Sequence, residues 1–208
     1  MLKRVLIIIL LLACHSVWAD GTEEDNHAIH EDLRGLLQGI ETAINTQHYE
    51  NLKQYFDESA HITTINQQVI ATQDGIEAYF KDWFGKGGYL VKLNIKLNPD
   101  ALTKLYGDPD NPSWGLVYGS GVEDYQLTDG RFLPMKTRWT ATVVKSADDK
   151  WRILALHIGA NFYDNPIFSA VKDSTKYYAA GGLVIGLIMG ALLMYLVKRK
   201  KRKAISDH

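Results

Sequence analysis

The sequence predicts an α+β domain on the outside of a membrane, held there by one C-terminal transmembrane helix. Three observations predict it. Helical periodicity is confined to residues 23–84, alternating strand patterns follow the glycine cluster Gly85-Lys86-Gly87-Gly88, and an uncharged run, Tyr177 to Val197, precedes Lys198-Arg199-Lys200-Lys201-Arg202-Lys203. Helices first and an antiparallel meander after them is the order of an α+β fold, with helices on one face of a curved sheet.

The run from Tyr177 to Val197 has 21 residues, and about 20 apolar residues cross a bilayer core of roughly 30 Å. Tyr177 and Tyr178 suit one lipid–water interface, and a basic flank stays on the cytoplasmic side. At the other end, Met1-Leu2-Lys3-Arg4 is a basic start, Val5 to Ala13 is apolar but too short to span, and Val17-Trp18-Ala19 offers small residues before a cut at Asp20. That is the layout of a secretory signal peptide. A lipobox reading of Leu11-Leu12-Ala13-Cys14 is the alternative, with lipidation at Cys14. The expected organisation is a signal peptide (1–19), a folded domain (20–166), a linker (167–176), a transmembrane helix (177–197) and a cytoplasmic tail (198–208). The expected location is a bacterial inner membrane, with the domain in the periplasm.

Cys14 is the one cysteine, so a chain cut after Ala19 holds no disulfide, zinc–thiolate site or cysteine nucleophile. The formal net charge of −1 hides a split. From Asp20 to Thr175 there are 14 Lys and Arg against 23 Asp and Glu, a net charge of −9. Such a body does not seek nucleic acid through bulk charge. The basic tail reads as a stop-transfer flank or as a contact to anionic headgroups.

Within the domain, Ile29, Leu33, Leu36, Leu37, Ile40 and Ile44 recur at helical spacing, predicting a helix from Glu23 that breaks near Asn45–Tyr49 and resumes to Phe56. Ala60 to Asn66 reads as a strand, and Thr72 as the N-cap of a helix to Phe84. Strands are expected at Tyr89–Leu97, Trp114–Leu127, Met135–Lys145 and Trp151–Phe162. A loop is expected over Pro99–Pro112, and a tight hairpin at Asp129-Gly130.

Four segments carry a family resemblance. They are Leu36 to Asn45 with Tyr49-Glu50-Asn51-Leu52, Phe56-Asp57-Glu58-Ser59-Ala60-His61-Ile62, Gln73 to Phe80, and Lys150-Trp151-Arg152-Ile153-Leu154-Ala155-Leu156-His157. In this order they resemble the nuclear transport factor 2-like superfamily, which includes ketosteroid isomerases, SnoaL-like cyclases and kinase association domains. The resemblance covers nearly all of Glu31 to Asn161. It implies a cone in which helices close a pocket against a concave sheet, and dimerisation through the convex face. A fold alone does not imply an activity. In the isomerases an Asp base works with a Tyr and a protonated Asp. The resemblance puts the base at Thr64 and the Tyr at Ile40, and no Asp or Glu occurs from Leu133 to Ala147, so those roles are vacant.

His157 shares the strand parity of Trp151, Ile153 and Ala155, and is expected in the pocket as an acid/base group or as a core histidine. Arg138 is expected to clamp an anion or to face solvent. Asn161, Tyr118, Trp83 and Thr64 are expected on the wall or in the core. His27 and His30, with Glu31 and Asp32, lack a fixed third partner, so neither a metal nor another cofactor is expected. There is no phosphate loop, nucleophile elbow or dinucleotide fingerprint. Gly182, Gly186 and Gly190, four apart, form a stripe suited to close helix pairing.

The first functional expectation is a membrane-anchored binding or scaffold module, a homodimer holding a small ligand or a protein partner. The alternative is an isomerase-, dehydratase- or cyclase-like enzyme with His157 as acid/base. A structural subunit of a membrane complex is the third.

Overall fold

A computed structural model describes residues 26–206, with side-chain surroundings through 199. The signal-peptide expectation and the expected helix start at Glu23 lie outside the described residues. The chain divides after Ala160 into two units.

In the first unit, α1 spans His27–Asn45, a 3-10 turn Tyr49–Tyr55, and α2 Gln73–Phe84. The strands are β1 Phe56–Thr63, β2 Val69–Ile70, β3 Leu90–Pro99, β4 Lys104–Asp108, β5 Asn111–Leu127, β6 Phe132–Lys145 and β7 Trp151–Ala160. They form one sheet in the order β2-β1-β7-β6-β5-β3, with β4 also on β5. All pairs are antiparallel except β1 with β7. The expected α+β class and curved sheet are thus present.

The helices form for local reasons and dock for apolar ones. In α1, Leu33, Leu36, Ile40 and Ile44 fall on one face and are buried. The Thr72 hydroxyl caps α2 by accepting from Gly75 N at 3.1 Å. The Asp129-Gly130 turn closes with Gly130 at φ +87°, a conformation open to glycine at no steric cost.

Polar side chains of α1 cover the free edge of β3. Asn45 donates to Ile95 O at 2.9 Å and accepts from Ile95 N at 2.6 Å. Glu41 accepts from Leu97 N at 2.5 Å and pairs with Lys96 at 3.1 Å. Just past the helix, Gln47 donates to Val91 O at 3.1 Å. An edge satisfied in this way offers no template to another chain, and α1 is fixed over the concave face.

Two departures from expectation matter. The segment expected as a loop over Pro99–Pro112 contains β4, which pairs with β5 across a turn at Pro109-Asp110, its register shifting beside Gly107 at φ +109°. In β7 the pairing steps from Val143↔Ile153 to Thr142↔Ala155, leaving Leu154 as an extra residue. Such a bulge reverses the facing of every residue after it.

The second unit holds α3, Pro166–Ser206. It is long and apolar enough to cross a membrane. Its 41 residues extend about 60 Å, roughly twice a bilayer core. Residues 167–176, the expected linker, are the first turns of this helix.

Candidate functional site

The concave face of the sheet, α1 and α2 enclose a cavity of about 460 Å³. Its wall is mostly aliphatic and aromatic, with alternate positions of β5 and β6 facing inward. Trp139, Ala141 and Val143 come from β6, and Glu123 and Tyr125 from β5. Glycine shapes the wall at Gly119. A Cβ there would collide with the Asn98 carbonyl and the Trp139 indole, which lies across it and donates to Ser120 O at 3.0 Å.

The polar centre of the cavity is Glu123, which is 6% exposed. The Tyr125 hydroxyl donates to its Oε2, and the Thr137 hydroxyl donates to its Oε1 at 3.1 Å. No cationic side chain pairs with it among the described residues. Burial raises the Glu123 carboxyl above its ordinary range, and the two hydroxyl donors offset only part of that. Tyr125 is raised by its own burial and then by the adjacent carboxylate. Tyr79 is pushed up to about 12, chiefly by burial. Trp83 bridges the two tyrosines, with ring centroids 5.5 Å from Tyr79 and 6.0 Å from Tyr125.

The charges at the cavity rim are matched. Arg34 bonds to Glu31, and Lys96 pairs with Glu41 at 3.1 Å. The His30 imidazole is lowered by burial and then by Arg34 and His27, so it stays neutral at pH 7. Among groups lining the cavity, Glu123 alone is a buried ionisable acid without a counter-charge among the described residues.

The residues singled out in the sequence divide. Thr64 and Trp83 line the cavity, as does Ile40. Thr64 is buried, and its hydroxyl reaches Gln68 O at 3.2 Å. His157 does not line it. The bulge at Leu154 turns Leu156 and Ile158 inward and leaves His157 exposed on the opposite face. Arg138 also lies on the outer face, where its guanidinium forks onto Asp100 at 3.1 and 2.5 Å. Tyr118 is 50% exposed on that same face. Asn161 belongs to the second unit, where its Oδ1 accepts from Tyr163 N and Asp164 N at 2.9 and 3.1 Å.

Sequence reasoning missed Glu123 because it sought an acid on β6, whereas the acid stands on the neighbouring strand opposite Met135. A signal existed, since Glu123 shares the parity of Tyr125, Gly121 and Gly119. It was masked because the outer positions of β5, Trp114, Leu116, Tyr118 and Val122, are apolar too. His27 sits 3.7 Å from Glu31, and no cluster of three metal-ligating side chains occurs among the described residues. Gly182, Gly186 and Gly190 fall on α3, with open space where a Cβ would stand.

A buried acid among aromatic rings can donate as a neutral carboxyl, hold a cation as a carboxylate, or move a proton near neutral pH.

No family model matches the sequence, and no curated protein matches it. Solved structures do resemble it. A type 2 hexachlorocyclohexane dehydrochlorinase (LinA) superposes with a TM-score of 0.56 at 11% identity, over 67% of this chain and 90% of that one. A nuclear transport factor 2-like superfamily protein from Salmonella enterica serovar Typhimurium LT2 gives 0.52 at 15% identity, over 64% and 91%. A ketosteroid isomerase-like protein from Erwinia carotovora atroseptica SCRI1043 gives 0.52 at 10%, over 62% and 94%. At these identities the likeness establishes the fold alone: the N-terminal unit has a nuclear transport factor 2-like fold, and the chain carries one apolar C-terminal helix.

Proposed function

We propose that the chain is a single-pass membrane protein whose N-terminal domain holds a small, largely apolar molecule bearing one polar group. One observation carries this reading: an apolar cavity of about 460 Å³ surrounds a single uncompensated buried acid, Glu123. Cavities of this size and character suit small ligands. Among the described residues the rim supplies no free cation to clamp an anion, and Arg138 is spent on Asp100.

The domain faces the periplasm and the basic tail the cytoplasm. The signal-like start and the Lys198–Lys203 run support this orientation. The protein acts as a homodimer. Support comes from the outward apolar stripe Trp114, Leu116, Tyr118 and Val122 on β5, and from the glycine spacing of α3.

A second reading, a proton-transfer enzyme, draws on the raised carboxyl of Glu123 in place of His157. The binding reading is tested by thermal shift of the full chain in nanodiscs against a panel of small apolar compounds. Stabilisation by some panel members, absent in Ala141→Phe where a ring fills the cavity, is expected. Equal shifts in both proteins would sink the reading.

A further inference from the structure

We propose that the polar group of the ligand is a protonated amine, so that the cavity is a receptor for a lipophilic organic cation. The inference rests on the binding reading above and names the chemistry of its ligand. Glu123 stands at the wall with its two oxygens each taking one hydroxyl, from Tyr125 and Thr137, and with no cationic side chain beside it among the described residues. A carboxylate has room for about four donors, so both oxygens retain lone pairs for a ligand.

The neighbouring surfaces point the same way. Tyr79, Trp83 and Tyr125 form a row of tilted rings beside the acid, neighbouring planes inclined at 42° and centroids 5.5 and 6.0 Å apart. Aromatic faces around a carboxylate attract cations through the ring quadrupole. The rim adds no opposing positive charge, because Arg34 and Lys96 have their own acids and His30 is held neutral. The excess of acids from Asp20 to Thr175 draws cations towards the domain at long range. An anionic ligand would meet Glu123 with no compensating group. A neutral ligand would suit only the protonated acid, whereas an ammonium group compensates the carboxylate.

Three naphthalenes with one ring system and different ends separate the classes: 2-naphthylmethylamine, 2-naphthylmethanol and 2-naphthoate. Each is titrated calorimetrically into the full chain in nanodiscs, with empty nanodiscs as the blank, and into Glu123→Gln. Gln keeps the shape and removes the charge; its amide oxygen accepts as one carboxylate oxygen did, while its NH2 turns one of the two hydroxyls from donor to acceptor. The amine is expected to bind most tightly and to lose about 100-fold or more in Glu123→Gln, the scale of breaking a desolvated ion pair. The alcohol is expected to change by less than about threefold. On lowering the pH, amine binding weakens as Glu123 takes up a proton, while alcohol binding holds.

Alcohol binding as tight as amine binding, or amine binding that survives Glu123→Gln, would overturn the amine assignment and leave the pocket reading standing. If neither the amine nor the alcohol binds above the blank, both fall. Naphthoate binding best would overturn the charge argument itself.

Discussion

Replacing Glu123 with Gln also reads the state of the acid through stability. Burial raises its carboxyl above the unfolded value of 4.5. The native state therefore holds the proton more tightly than the unfolded chain. Between the unfolded and folded values the native state binds more protons, so stability is highest below the unfolded value and falls as pH rises through the folded one. The slope is about 1.36 kcal/mol per pH unit, levelling once both states are ionised. Gln carries no charge at any pH. Near pH 4 wild type and variant then differ only by rearranged hydrogen bonds to Tyr125 and Thr137, about 1 kcal/mol. Above that pH the variant gains on the wild type, each unit of divergence being worth about 4 °C in melting temperature for a domain of this size. The assay is thermal unfolding of the full chain in detergent from about pH 4 to pH 9, followed by the fluorescence of buried tryptophans such as Trp139. Parallel profiles would refute the reasoning, because they would mean that the folded environment does not favour the neutral acid.

Other outcomes follow from the packing. Tyr49 has a buried hydroxyl without a partner among the described residues, and its ring stacks on Phe80 at 4.4 Å. Tyr49→Phe should stabilise by about 1 kcal/mol in denaturant unfolding, and a clear loss would contradict that account. Asn45→Ala uncovers both backbone groups of Ile95 and should cost about 2 kcal/mol, with an unchanged midpoint arguing against edge coverage. Gly119→Ala should destabilise by about 1–3 kcal/mol by displacing Trp139, which circular dichroism melts would detect. For topology, Thr128→Cys in intact cells should react with a membrane-impermeant maleimide and Ser206→Cys should not; the reverse pattern would invert the proposed orientation.

The fold was legible where one physical signal dominated. The 3.6-residue spacing of Leu33, Leu36, Ile40 and Ile44, the Thr72 cap and the Asp129-Gly130 turn each specify their element locally. The site was harder because it depends on strand facing, and facing is set by register. Plain alternation carried from Trp151 to His157 predicts an inward histidine. The extra residue at Leu154 reverses it, and no local residue type announces that bulge. Glu123 was obscured because both faces of β5 are apolar, so an acid within that strand looks like solvent-facing polarity. The short β4 was hidden in a run rich in Gly, Pro and Asp, where turn chemistry outweighs strand propensity. Thr64 and Trp83 were recoverable because the register shift of β1 falls before His61, ahead of Thr64, and helical spacing runs unbroken through α2 to Trp83.

The most direct test of the account is native mass spectrometry of the full chain released from nanodiscs, comparing wild type with Ala141→Phe. The account predicts a retained small molecule on wild type, absent from the variant whose cavity is filled. A bare mass for wild type, or the same adduct on both, would contradict the claim that this cavity is a ligand site.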